Sequence, residues 1–144
     1  MPTGPTERSP LRLATAVMFV TDLDRSVAFY QALLGWDVAL EDDSVALLVS
    51  PDGFQMYLHG RGPRTQHPLG QIGIQYLIWT AHDEHELRRC RSVLQATASH
   101  DVTTTLDGFT VVEGRDPDDV PILVTYPGPE DAPRHQIMRR AYAW

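Results

Sequence analysis

A single cysteine, Cys90, stands among the 144 residues, which excludes an intrachain disulfide and is compatible with a reducing, cytoplasmic location. No apolar run reaches the length needed to cross a bilayer, so no membrane partner is expected. Basic residues are few, 12 against 19 acidic ones, giving a net charge of −7 and a pI near 5.2. That balance opposes nucleic acid, whose backbone wants concentrated positive charge. No Gly-rich phosphate loop opens a helix, since Gly60-Arg61-Gly62 runs into Pro63. No nucleophile elbow or triad is present, and Asp116-Pro117-Asp118-Asp119 lacks the ligand rhythm and closing Glu of a calcium loop, so it reads as a turn.

What remains is a patterned chain. Leu13 to Val20 alternates as a strand, and Asp22 or Asp24 can cap the helix that follows it. That helix carries Val27, Tyr30, Leu33 and Leu34 near one stripe and ends at Gly35. Trp36–Leu40 and Ser44–Ser50 form a hairpin around an acidic turn; Pro51-Asp52-Gly53 then turns the chain into a strand from Phe54 to His59. The glycines and prolines of 61–70 read as a linker. The order then returns: strand Ile72–Thr80, helix from about Asp83 to Ala96, strands near Val102–Leu106 and Phe109–Gly114, the 116–119 turn, and strand Val120–Tyr126. Leu87, Cys90, Val93 and Leu94 mark the second helix's buried side, which makes Cys90 apolar filler, and Arg88, Arg89 and Arg91 its solvated face.

Two β-α-β-β-β units of about 50 residues therefore follow one another. Matching Thr15 to Gln75 gives an offset of 60, while the two Pro-Asp turns, at Pro51 and Pro117, repeat at 66. A curved sheet with one apolar face cannot bury it alone, so the units are expected to pair. The expected fold is α+β: paired modules forming a curved mixed sheet around a cavity. Residues 1–10 are expected to be a disordered lead, 12–60 the first module, 71–127 the second, and 128–144 an extension with a short helix over Gln136–Trp144.

The segment Val20-Thr21-Asp22-Leu23-Asp24-Arg25-Ser26 leading to Phe29-Tyr30, and Arg115-Asp116-Pro117-Asp118 before the last strand, resemble the vicinal oxygen chelate superfamily. This group contains glyoxalases, extradiol dioxygenases and bleomycin-resistance binding proteins. The resemblance covers about residues 12 to 127. In metal-dependent members it implies His, His and Glu where this chain holds Thr15, Gln75 and Leu123, with a further glyoxalase ligand where Tyr57 stands. Neutral hydroxyl and amide groups are poor ligands for such ions and leucine is none, so neither metal nor other cofactor is expected. His82 and His85 have a helical three-residue spacing but no further ligands.

The resemblance places Thr15, Tyr57, Gln75 and Leu123 at the centre of the cup. Alternation puts Gln55, Tyr57 and His59 on one face and Gln75, Leu77 and Trp79 on another. Tyr57 and Gln75 are read either as ligand contacts or as a polar pair satisfying each other. Phe19 and Trp79 are read as pocket wall or core, and His59 as a proton-transfer group or an exposed strand end. Two functions follow. One is metal-independent capture of an aromatic natural product or antibiotic, as in resistance proteins. The other is a metal-independent isomerase, cyclase or lyase acting on a biosynthetic intermediate, with Tyr57 or His59 moving the proton. The resemblance also implies a homodimer, with terminal strands and Ile137–Trp144 at its interface.

Overall fold

The computed structural model describes residue 11 and residues 13–63, 74–97, 102–106 and 108–128. The expected N-terminal lead, most of the linker, the terminal helix and its part in a dimer interface lie outside the described residues.

The first module runs β1 (Thr15–Val20), α1 (Leu23–Leu34), β2 (Asp37–Glu41), β3 (Val45–Val49) and β4 (Gln55–Gly60). The second runs β5 (Ile78–Thr80), α2 (Glu84–Thr97), β6 (Val102–Leu106), β7 (Phe109–Arg115) and β8 (Pro121–Tyr126). Each makes a four-stranded sheet of the same order, β1-β4-β3-β2 and β5-β8-β7-β6. In each, the first and last strands are parallel and the others antiparallel. The duplicated α+β architecture read from the sequence is the one observed.

The helices are set by matched signals. Asp22 caps α1 by accepting the Arg25 N–H at 3.1 Å, and Asp83 caps α2 by accepting the Glu86 N–H at 2.7 Å. Gly35 ends α1 in the left-handed region, φ 69°, with its N–H bonded to the Gln31 carbonyl. Helix α1 buries Val27, Phe29, Tyr30 and Leu33, and the sheet face with Ala46, Leu48, Met56 and Leu58 belongs to the same core. Helix α2 lies close to β7: a Cβ on Gly114 would sit 2.9 Å from Leu94 Cδ2, so glycine sets the approach. Cys90 is buried, as expected, and burial pushes its thiol pKa up. Of the predicted basic face, Arg89 turns inward. Its guanidinium donates to the Ala32 and Leu33 carbonyls at the C-terminal end of α1 and pairs with Glu86.

One element is shorter than expected. The strand predicted over 72–80 is reduced to Ile78–Thr80, with 74–77 outside any ladder and 72–73 outside the described residues. The repeat explains why. In the first module the Gln55 N–H bonds to the Ala14 carbonyl at 3.2 Å, extending the parallel pairing. The position matching Gln55 is Pro121, which has no N–H to donate.

Candidate functional site

The helix caps Asp22 and Asp83 stand 61 positions apart. The sheet registers agree: Val17 pairs with Tyr57 as Ile78 pairs with Leu123. Structurally, then, Thr15 corresponds to Tyr76, and Gln75 is one position short of it.

In the first sheet, Thr15, Val17 and Phe19 of β1 stand beside Gln55, Tyr57 and His59 of β4 in one register. The alternate residues Met56 and Leu58 are fully buried, whereas Val17 is 65% and Phe19 57% exposed. This is the open face. Thr15 donates its hydroxyl to Gln55 Oε1 at 3.1 Å. Phe19 meets His59 edge-on at 5.5 Å between centroids, and the Arg61 guanidinium lies 4.7 Å over the Phe19 ring.

In the second sheet Leu123 is fully buried with Phe109 and Val111, and Tyr76 packs on them. Glu113, the β7 partner of Leu123, is also buried. Burial raises the Tyr76 phenol pKa, and the Glu113 charge raises it further. Trp79 faces Trp36 edge-on at 5.9 Å and packs on the main core.

A cavity of about 540 Å³ lies at the seam between β1 and the segment 74–79, with Asp118, Pro121 and Ile122 also lining it. Three of the residues predicted for the site, Phe19, Gln75 and Trp79, line it. Thr15, Gln55, Tyr57 and His59 lie on the adjoining open face, which Phe19 joins to the cavity. Leu123 sits in the small core cluster instead. Trp79 is therefore both core and wall.

Sequence reasoning missed Tyr76, Arg61 and Glu113. Tyr76 was within reach, because counting from the helix caps rather than from the strands gives the offset of 61. Arg61 was absorbed into the predicted linker. Glu113 is the single acid in the otherwise apolar run of β7, a signal that was available.

The 116–119 segment is the turn expected, with the Asp119 N–H bonded to the Asp116 carbonyl. It also ties the modules. Asp116 Oδ2 accepts from Tyr30 Oη at 2.6 Å, and Oδ1 accepts the backbone N–H groups of Asp118 and Val120. Asp118 accepts the Thr21 N–H and pairs with Arg25 at 3.5 Å. The two signature segments thus meet each other, and Val20, Thr21, Tyr30 and Asp118 from them also line the cavity.

The donor set does not fit a transition metal. The Thr15 hydroxyl is directed to Gln55, Gln75 is a neutral amide outside the sheet register, and Leu123 offers no donor atom. Among the described residues, no three His, Cys, Asp or Glu side chains converge in an arrangement able to hold a metal ion. His82 Nε2 lies 3.1 Å from Asp83, the helix cap. Among the described residues no helix is long and apolar enough to cross a membrane.

Residues 14–51 match the family model described as bleomycin resistance protein-like N-terminal. The fold is shared with a glyoxylase/bleomycin resistance protein/dioxygenase domain from Frankia sp. EAN1pec, at TM-score 0.68 and 22% identity over 81% of this chain and 98% of that one. A glyoxalase/dioxygenase from Nostoc punctiforme aligns at TM-score 0.64 and 20% identity, covering 87% and 95%. A lactoylglutathione lyase from Agrobacterium tumefaciens aligns at 0.58 and 20%, covering 81% and 93%. No curated protein sequence matches. The duplicated modules thus have the fold of these glyoxalase and bleomycin-resistance-like proteins, and the family-model match falls within the first module.

Proposed function

We propose that this chain captures a small, partly aromatic molecule in the seam cavity without a metal ion, in the manner of a resistance protein that sequesters a natural product. The observation that carries the reading is the cavity itself. Its volume of about 540 Å³ suits a small-molecule site, and Phe19, Tyr76 and Trp79 supply ring surface beside the Gln75 amide. Apolar rings stack against these walls while the amide fixes a polar edge. The neutral donor set supports metal independence, and the family-model match over residues 14–51 supports the resistance type.

A second reading has its own observation. The buried Glu113 carboxylate lies near the Tyr76 phenol, whose pKa is raised, and such a pair is suited to proton transfer. It supports a metal-independent isomerase, cyclase or lyase acting from the second sheet, whereas the sequence alone pointed to Tyr57 or His59. The test is incubation with a panel of aromatic natural products, followed by equilibrium dialysis and mass spectrometry. Capture returns a bound compound chemically unchanged at one per site. A converted product establishes the enzyme, and a panel with no bound member removes the capture reading.

A further inference from the structure

We infer that the cavity takes an extended, amide-bearing molecule of the peptide class and holds it by its main chain along the outer edge of β1; this rests on the capture reading above and names the chemistry of what is captured. β1 is an edge strand, bonded to β4 on one side of its sheet. The cavity is lined by every residue from Ala16 to Thr21. Side chains alternate between the faces of a strand, so a pocket lying on one face touches every second residue. Val17 and Phe19 belong to the open face, whereas Val20 is buried and Met18 packs on the main core. A pocket that meets both sets runs along the edge, where its wall is main chain.

The ladder fixes where that main chain points. In a parallel pair each bonded residue turns its N–H and C=O to the same neighbour, and the next residue turns both away. The Gln55 N–H bonds to the Ala14 carbonyl and the Arg61 N–H to the Val20 carbonyl, so the even-numbered residues of this stretch face β4. Val17, Phe19 and Thr21 therefore present theirs to the seam. Thr21 shows it directly: its N–H reaches the Asp118 carboxylate of the second module at 3.2 and 3.3 Å. Among the described residues, none bonds the Val17 or Phe19 main chain on that side. Their donors and acceptors recur about every 7 Å along the cavity, the period at which an added strand supplies the complements. A compact aromatic molecule meets one such group, but a short extended peptide meets both. Ring side chains of that peptide lie toward Tyr76 and Trp79, and a volume of about 540 Å³ restricts it to a few residues.

The test uses the blocked tripeptide acetyl-Phe-Val-Phe-amide and its analogue methylated at every internal amide nitrogen. Both are titrated calorimetrically into the full chain, and amide hydrogen exchange is followed by NMR. In the ligand-free chain the Val17 and Phe19 amides exchange about tenfold or more faster than those of Met18 and Val20, and saturating tripeptide removes the difference. The methylated analogue binds about tenfold more weakly, the loss expected for one or two hydrogen bonds. Slow exchange at Val17 and Phe19 before any peptide is added means that this chain or a second copy already covers the edge, and overturns the inference. Equal affinity for both peptides, or binding that leaves those two amides fast, also overturns it and leaves capture by ring stacking standing. So does failure of the tripeptide where a non-peptide member of the aromatic panel binds. Failure of the tripeptide and the whole panel overturns the capture reading and the inference with it.

Discussion

Tyr30 Oη donates a 2.6 Å hydrogen bond to Asp116 Oδ2, joining helix α1 of the first module to the β7–β8 turn of the second. Burial, reinforced by the Asp116 charge, holds the Tyr30 phenol well above its usual range. Burial also raises the Asp116 carboxyl, with the Tyr30 bond and two backbone N–H groups opposing that rise. Tyr30→Phe leaves the buried carboxylate oxygen without this donor, so stability at pH 7 falls by about 1–3 kcal/mol. Denaturant unfolding measures it.

The same pair sets an alkaline limit. Below about pH 10 Tyr30 is protonated in both the folded and the unfolded chain, so its contribution is constant there. Above that value the unfolded chain loses the proton first, because the folded pKa is raised. Stability contributed by Tyr30 is then lost as pH rises through the folded pKa. Unfolding curves at pH 8 and pH 11 show a smaller alkaline loss for Tyr30→Phe than for wild type. Equal losses remove Tyr30 as the cause.

Gly114→Ala places a methyl group 2.9 Å from Leu94 Cδ2. Helix α2 then moves off β7 or Leu94 leaves its rotamer, at a cost of about 1–3 kcal/mol. Shortening the neighbour relieves the contact, so Gly114→Ala with Leu94→Ala is less destabilising than the sum of the two single changes. Thermal unfolding of the four proteins completes the cycle.

Much of this architecture was legible because local signals agreed with one another. Asp22 and Gly35 bracket α1 as the sequence suggested, and Leu87, Cys90 and Leu94 are buried on α2. The turn around Pro117 was read correctly, but its contacts with Tyr30, Thr21 and Arg25 were not, since residues more than 80 positions apart leave no periodic trace. The site was less legible for a definite reason. Pro121 cannot donate the hydrogen bond that Gln55 makes, so the strand ahead of Ile78 stops early and Gln75 lies outside the ladder. A repeat counted from strand patterns falls one residue short there, whereas the helix caps keep the count.

Gln75 separates cavity wall from internal network. Gln75→Leu leaves thermal stability near wild type and weakens binding of the captured molecule by about 1–3 kcal/mol, because a ligand polar group loses its partner. Lowered stability with unchanged affinity would assign Gln75 to the fold alone.

The open face carries exposed Val17 and Phe19, and the β2 edge carries exposed Leu40. Apolar surface and an unpaired edge of this kind favour a two-fold pairing of chains. Sedimentation equilibrium at tens of micromolar gives a dimer; a monomer at that concentration contradicts the assembly.

Capture of an aromatic molecule without a metal is checked by titrating one bound compound into two samples of the same protein. One sample is stripped with chelator and verified metal-free by elemental analysis, and the other is supplemented with Zn, Mn, Fe or Ni. Metal-free capture gives the same affinity and a stoichiometry of one per site in both samples. Binding that vanishes on stripping and returns with about one metal per chain would contradict it.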